Sequence, residues 1–361
     1  MKNITILIIL IFATFPSMGV AKERLSSTEK MIVIENMKSA IEPNYVFADQ
    51  TDGIIQALDE RARSGKYNSI RDHEAFAEAL THDLLEITNN KHFAVVYNPG
   101  FIKARRAPDD GTSVDQATET EAIDWNRWYA VQDNYGFEKI EILDGNIGYI
   151  KLDFFQPLDW VQPTIDATMG FVRNTDALII DLTENGGGYS PTDAYLASFF
   201  FREGSGLWSS NYNRPTGESS SVELFDEING ERYLNKPVYI LVSANTFSLA
   251  ERLAYGMKHF GKAVIVGQTS AGAAHAIEIA ELNDNFFIQI PIIYNIHPVT
   301  KTDWEGAGVI PDVEVSKNNA KQTAHRHALD KLIELSNHER IKQRYVDIRA
   351  KLEASPIKAT Q

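Results

Sequence analysis

The chain has 361 residues, of which 43% are hydrophobic, enough for one large domain or two ordinary ones with real cores. Its formal net charge is -14, and such an acidic chain repels phosphates, which argues against nucleic acid as a partner. The sequence holds no cysteine, so neither a disulfide nor a lipid-attachment cysteine is expected.

Residues 1–21 predict a secretory signal peptide. Lys2 supplies a positive charge, residues 4–15 are almost wholly apolar, and small residues up to Ala21 offer a cleavage site. The apolar stretch is too short to span a bilayer comfortably, so we expect export without stable membrane insertion. Export without disulfides suits a secreted or periplasmic protein of the bacterial envelope.

Residues 22–100 predict a small N-terminal helical domain. Apolar residues recur at helical spacing in three stretches, and Asp72 is placed to cap the third helix. A strand-like segment at 93–97 follows. Residues 101–134 are polar and contain turn formers, which predicts a linker or loop.

Residues 135–318 predict an α/β core. Two strand-like segments flank Asp144-Gly145-Asn146, which is a hairpin signal. Helices and strands then alternate, in the order helix 161–172, strand 177–182, helix 191–201, strand 238–242, helix 249–260 and strand 263–266. Such alternation predicts a parallel sheet with right-handed crossovers. Residues 319–361 predict a C-terminal helical segment.

Ser248 lies where a buried strand gives way to an amphipathic helix. A hydroxyl at this position faces the positive end of the helix dipole and unpaired N–H groups that can stabilise an oxyanion, as a nucleophile requires. The residues Ser248 to Glu251 also fit the S-x-x-E capping box, in which the serine would only cap the helix.

Three successive glycines, residues 186–188, follow the buried strand that ends near Asp181. They allow close approach of a backbone to a ligand and can direct N–H groups at it. The spacing lacks the Lys-Ser/Thr of a phosphate-binding loop, which leaves an oxyanion hole or a tight turn as alternatives.

Four blocks in order resemble the tail-specific, or C-terminal processing, protease family of serine peptidases (peptidase family S41). They are IDLTENGGG at 180–188, TFSLAE at 246–251, VGQTSAG at 266–272 and WEGAGVIPDV at 304–313. The resemblance implies a crotonase/ClpP-like spiral α/β core preceded by the small helical domain. It also implies catalysis by Ser248, with Gly187, Gly188 and Leu249 supplying the oxyanion hole.

The resemblance also indicates which branch of the family is present. The turn after the third block carries alanines where processing proteases have a catalytic lysine, and there is no room for a PDZ insertion. The chain instead resembles interphotoreceptor retinoid-binding protein modules and the tricorn core. That branch implies His92, in NKHFAV at 90–95, as general base and Glu305 as the relay carboxylate. Whether Lys91 or His275 assists the relay stays open.

The predicted function is therefore that of a secreted serine peptidase acting on peptides or protein ends. A non-hydrolytic module for a hydrophobic ligand, or an esterase, is the alternative, because fold alone does not settle function. No His/Asp/Glu cluster has metal-ligand spacing, so we expect neither a metal nor a cofactor. A homo-oligomer is compatible with the sequence.

Overall fold

A computed structural model describes residues 24–106 and 125–354. The chain divides into two compact units. Unit 1 comprises Met1–Ile123, Tyr212–Ser219 and His275–Tyr294, and unit 2 comprises Asp124–Asn211, Ser220–Ala274 and Asn295–Gln361. The predicted signal peptide lies outside the described residues. None of the helices within those ranges combines the length and apolarity that crossing a membrane would require.

The described elements follow one another in this order. The α-helices are α1 (Ser27–Asn44), α2 (Thr51–Arg63), α3 (His73–Thr88), α4 (Pro99–Arg106), α5 (Trp125–Gln132), α6 (Leu158–Val172), α7 (Thr192–Ser198), α8 (Leu249–His259), α9 (Lys317–Leu335) and α10 (Glu339–Ala354). The strands are β1 (Ala94–Tyr97), β2 (Phe137–Leu143), β3 (Ile147–Leu152), β4 (Ala177–Asp181), β5 (Leu207–Asn213), β6 (Glu218–Glu223), β7 (Val238–Val242), β8 (Val264–Gly267), β9 (Ala276–Glu281), β10 (Phe286–Ile296) and β11 (Val313–Glu314).

Unit 1 packs the helices α1, α2 and α3 around an apolar core of their own. The Asp72 carboxylate accepts a hydrogen bond from the Ala75 N–H at 3.0 Å, so the predicted cap of the third helix is confirmed. The core continues onto β10, which pairs antiparallel with β1 and with β9. The tip of the β5–β6 hairpin also belongs to this unit.

Unit 2 is built on a six-stranded sheet in the order β11-β8-β7-β4-β3-β2. Neighbouring strands from β3 to β11 are parallel, and β2 is antiparallel to β3 through the hairpin. At the hairpin tip Gly145 and Asn146 take positive φ, as tight turns demand. The predicted α/β core with parallel pairing is therefore confirmed.

Alternate residues of the central strands bury against opposite helical layers. Ile179 and Leu241 pack against α9 and α10, whereas Ile180 and Ile240 pack against α6, α7 and α8. A strand buried on both faces needs an apolar run rather than polar alternation, which explains the composition of β4 and β7. The carboxyl ends of these two strands lead into the glycine and serine turns.

The structure differs from the predicted boundaries in two places. Helices α4 and α5 reach into residues 101–134, and residues 275–294 pack with unit 1 although they fall within 135–318. Pairing between β1 and β10 joins segments almost 200 residues apart, which local periodicity does not encode.

Candidate active site

Ser248 has a strained backbone between β7 and α8. Its φ is 52° and its ψ is −116°, a region that is costly for a residue with a side chain. Leu249 begins α8, so its N–H belongs to the first turn, which has no acceptor within the helix. Ser248 is half-buried in the turn that joins β7 to α8.

The glycine turn after β4 lies directly against Ser248. A side-chain carbon at Gly187 would lie 2.9 Å from Ser248 Cβ and 3.1 Å from the Leu249 nitrogen, so only glycine allows this approach. Gly187 has a φ of 102°, which also favours glycine. Asn185 joins the two turns, because its carbonyl accepts from the Phe247 N–H at 3.0 Å.

The oxyanion-hole donors predicted from the sequence are not equivalent. The Gly187 N–H donates to Asn185 Oδ1 at 2.8 Å and is therefore directed within the turn. The Phe155 backbone N–H donates to the Gly187 carbonyl, and the Phe155 carbonyl accepts from the Tyr189 N–H. The Gly188 N–H takes no part in this parallel bridge. Of the three predicted donors, Gly187 therefore has its N–H already engaged by a neighbouring side chain.

Glu251 is a buried carboxylate that links Ser248 to a second turn. It accepts from the Ser248 N–H at 2.9 Å, as the capping box predicts. It also accepts from Ser270 Oγ at 2.6 Å, the Gly272 N–H at 2.6 Å and the Ala273 N–H at 2.9 Å. Burial raises the pKa of Glu251 to about 7, and these four donors oppose that rise.

Glu305 also accepts a hydrogen bond from the segment that follows this second turn. Its Oε2 accepts from the Ala274 N–H at 2.6 Å, and the Gly306 N–H donates to the Gly272 carbonyl at 3.0 Å. The predicted relay carboxylate and Ser248 are therefore joined within unit 2 through Glu251 and residues 270–274.

His92 lies in unit 1, between the end of α3 and the start of β1. Its side chain is buried, and its backbone N–H donates to Asn90 Oδ1 at 3.1 Å. Burial, and next the charge of His275, lowers the pKa of His92 to about 3. The imidazole is therefore neutral at physiological pH, the form that can accept a proton. Lys91 beside it is exposed.

His275 also belongs to unit 1, where it is fully buried beside Phe47 and Tyr294. Because the backbone N–H of His92 donates to Asn90 Oδ1, the Asn90 amide nitrogen faces His275 Nδ1, at 3.0 Å. An amide nitrogen only donates, so Nδ1 accepts, and the tautomer that fits this contact carries its proton on Nε2. This tautomer makes His275 a poor competitor for the role of general base.

Among the described residues, one cluster of three side chains has potential ligand atoms close enough to one another to hold a metal ion. It comprises His82, Asp83 and Glu86. Asp83 is already compensated by Arg61 and Lys66 and accepts from the Tyr67 hydroxyl. Its charge is thus used within the helical unit, which does not favour a divalent ion.

The sequence analysis did not predict two features of the site: the structural role of Asn185, and the contacts that Glu251 makes beyond the capping box. Asn185 is fully buried, and its amide also donates to the Leu152 carbonyl at 2.8 Å. The only sequence feature that could have indicated this role is the position of Asn185 directly before three glycines. The further partners of Glu251 lie about 20 residues away along the chain, so the capping-box pattern reveals only one of them.

Two family models match the chain. Residues 146–315 match peptidase family S41, and residues 24–123 match the N-terminal domain of peptidase S41 proteins in eukaryotic interphotoreceptor retinoid-binding protein. Together the two matches include Ser248, Glu305 and His92.

Curated and solved proteins agree with these matches. Carboxyl-terminal-processing peptidase 2 from the chloroplast of Arabidopsis thaliana is 27% identical over 48% of this chain and 33% of its own length. The chain spans about a third of the length of such relatives. A lipoprotein from Streptococcus agalactiae superposes with a TM-score of 0.51 at 15% identity, covering 90% of this chain and 100% of that one. A peptidase-like protein from Parabacteroides merdae, described as a putative peptidase, has the same score at 16% identity, covering 80% and 90%. These structural likenesses show a shared fold.

Proposed function

Since the chain belongs to peptidase family S41, we propose that it is a serine peptidase that hydrolyses peptide bonds by acyl transfer to Ser248. The family resemblance drawn from the four sequence blocks is confirmed by both matches. We further propose that the protein works after export into the bacterial envelope, with peptides or protein ends as substrates.

The backbone of Ser248 is the observation that carries the proposal. Holding a serine at a φ of 52° costs about 1–3 kcal/mol, and such strain concentrates at functional sites. A serine that only capped α8 would need no positive φ, since capping residues ordinarily adopt extended conformations. The close approach of Gly187 to Ser248 Cβ, which brings the glycine turn against this residue, also supports the proposal.

In the proposed reaction Ser248 Oγ attacks the scissile carbonyl while His92 accepts the hydroxyl proton. The N–H groups of Gly188 and Leu249 stabilise the oxyanion of the tetrahedral intermediate. The imidazolium returns its proton to the departing amine, leaving an acyl-enzyme. Water then attacks the acyl-enzyme, gives its proton to His92 and releases the acid, with Ser248 regaining its proton.

The proposed base and relay carboxylate have separate support. His92 is neutral because burial lowers its pKa, whereas the neighbouring His275 has its Nδ1 engaged by Asn90. Glu305 is anchored by the Ala274 N–H on the turn that Glu251 ties to Ser248. We assign Glu305 the role of orienting the imidazole and stabilising its protonated form.

Ser248→Ala tests the nucleophile directly. We expect it to abolish both labelling by a fluorophosphonate probe and cleavage of a mixed peptide library, while Ser221→Ala, at an exposed position of β6, leaves both unchanged. Equal labelling and cleavage by wild type and Ser248→Ala would exclude the proposal. Cleavage of esters but not peptides by the wild type would favour the esterase alternative.

His92→Ala tests the base, with His82→Ala at an exposed position of α3 as its control. We expect His92→Ala to lower kcat/KM about a thousandfold or more, and the double variant with Ser248→Ala to lose nothing further, because members of a catalytic unit are not additive. Wild-type activity in His92→Ala would remove the residue from the mechanism.

A further inference from the structure

A cavity of about 470 Å³ lies in unit 1 between α1 and α2. This volume is typical of sites for small molecules. Its apolar wall includes Met31, Ile34 and Ala62. Met31 is 60% exposed although it belongs to this wall, so apolar surface is open to solvent there. None of the lining residues belongs to the candidate active site.

The cavity also contains a buried ammonium group. Lys30 is only 6% exposed, and its Nζ donates to the Tyr67 carbonyl at 2.8 Å. Within the described ranges, no carboxylate lies within ion-pair distance of this nitrogen. Burial, and next the charge of Arg71, lowers the pKa of Lys30. A buried charge without a counter-charge is unfavourable, so an anion placed here would be stabilised.

The charged side chains that line the cavity carry a net charge of one positive unit. Lys38 pairs with Glu35 at 2.8 Å and with Asp59 at 2.6 Å. Arg63 is exposed and donates only to the Asp59 carbonyl, at 3.2 Å, among the partners that the described residues provide. Three cationic and two anionic side chains therefore line the cavity, and the two carboxylates disfavour a dianion such as phosphate.

We propose that this cavity binds an apolar molecule that bears a single carboxylate, with the carboxylate paired to Lys30 and the apolar part against Met31 and Ile34. A charge-assisted hydrogen bond to a buried ammonium supplies orientation, and the open apolar wall supplies contact area. Both a fatty acid and the free carboxyl end of an apolar peptide present this chemistry.

Calorimetric titration of the purified protein with octanoate and with octanamide tests the proposal. We expect octanoate to bind with one-to-one stoichiometry and at least about tenfold more tightly than octanamide. Lys30→Met should remove that preference, and Lys103→Met, at an exposed position of α4, should retain it. Equal binding of acid and amide, or an unchanged preference in Lys30→Met, would overturn the proposal.

Two further arms make the result decisive. A short apolar peptide with a free carboxyl end, compared with its amide, shows whether a peptide terminus or a fatty acid is the better source of the carboxylate. If Lys30→Met does not fold, Arg63→Gln should weaken octanoate about two- to fivefold through loss of a nearby exposed charge. Ser248→Ala should bind octanoate like the wild type, which separates this site from the proposed catalysis.

Discussion

Ser248 carries its strain because neighbouring residues hold it from two sides. Its N–H is bound by Glu251, and its Cβ abuts Gly187. The Glu251 contact is the reciprocal half of a capping box, whereas a helix cap needs neither the positive φ nor the close approach of Gly187. At the level of single residues, the proposed chemistry therefore depends on a carboxylate and a glycine that do not themselves react.

Glu251→Gln is expected to reduce kcat at pH 8 by about tenfold or more. The carboxylate now accepts hydrogen bonds from surrounding N–H and O–H groups. A glutamine would place its own amide N–H group against some of these donors, which would leave buried donors unsatisfied. In the wild type, kcat should fall as pH drops through about 7, because the pKa of Glu251 lies there and protonation removes an acceptor. The variant should lack this acid limb.

A purely structural role for Glu251 would lower the thermal stability of the glutamine variant without changing the pH profile of its kcat. Glu218→Gln, at an exposed position of β6, serves as the matched control and should match the wild type in both measurements. An acid limb near pH 7 that persists in Glu251→Gln would assign that titration to another group.

His92 makes the stability of the protein depend on pH. Its folded-state pKa is about 3 against an ordinary value of 6.5, so its contribution is fully present above pH 6.5 and is lost as pH falls through about 3. By this linkage the free energy of unfolding should decrease by about 2 kcal/mol between pH 7 and pH 5 from this residue alone.

Urea unfolding of the wild type and of His92→Gln at both pH values measures that contribution. Glutamine does not titrate, so the variant should lose about 2 kcal/mol less than the wild type on acidification. Identical losses in the two proteins would mean that His92 titrates normally, and hence that it is more accessible to water than the structure indicates.

At the level of elements, the site depends on the approach of two strand-to-helix turns. Gly187→Ala should lower kcat/KM about a hundredfold, because a methyl group 2.9 Å from Ser248 Cβ must displace the nucleophile. Gly186→Ala is the matched control, since a carbon there meets no atom within 4 Å. Peptide cleavage at saturating and limiting substrate would measure both variants. Equal activity of the two alanine variants would contradict the proposed packing of the turns.

The parallel strands and crossover helices of unit 2 were predictable, whereas its strands β5 and β6 and the long-range partners of its elements were not. Apolar runs place β4 and β7 within one residue of their observed ends, and the amphipathic period locates α8. The pairing of β10 with β1, by contrast, is set by tertiary burial and leaves no local pattern. The same holds for the site. Ser248 and the glycine turn are visible in the sequence, whereas the link from Glu251 to the turn beneath Glu305 is not.

At the scale of the whole molecule, each compact unit has a core of its own. The apolar cluster that contains Leu80 lies wholly in unit 1, and the clusters that contain Ile180 and Ile179 lie wholly in unit 2. The proposed nucleophile and relay carboxylate belong to unit 2, and the proposed base belongs to unit 1. Activity should therefore respond to destabilisation of either core.

Leu80→Ala and Ile180→Ala form a matched pair for testing this division. Each removes a fully buried side chain and should cost about 2–5 kcal/mol. Amide hydrogen exchange followed by mass spectrometry should show the loss of protection mainly in α1, α2 and α3 for Leu80→Ala, and in β4 and β7 for Ile180→Ala. A uniform loss of protection along the chain in both variants would instead mean that the two cores unfold as one cooperative unit, and a single free energy of unfolding would then describe the protein.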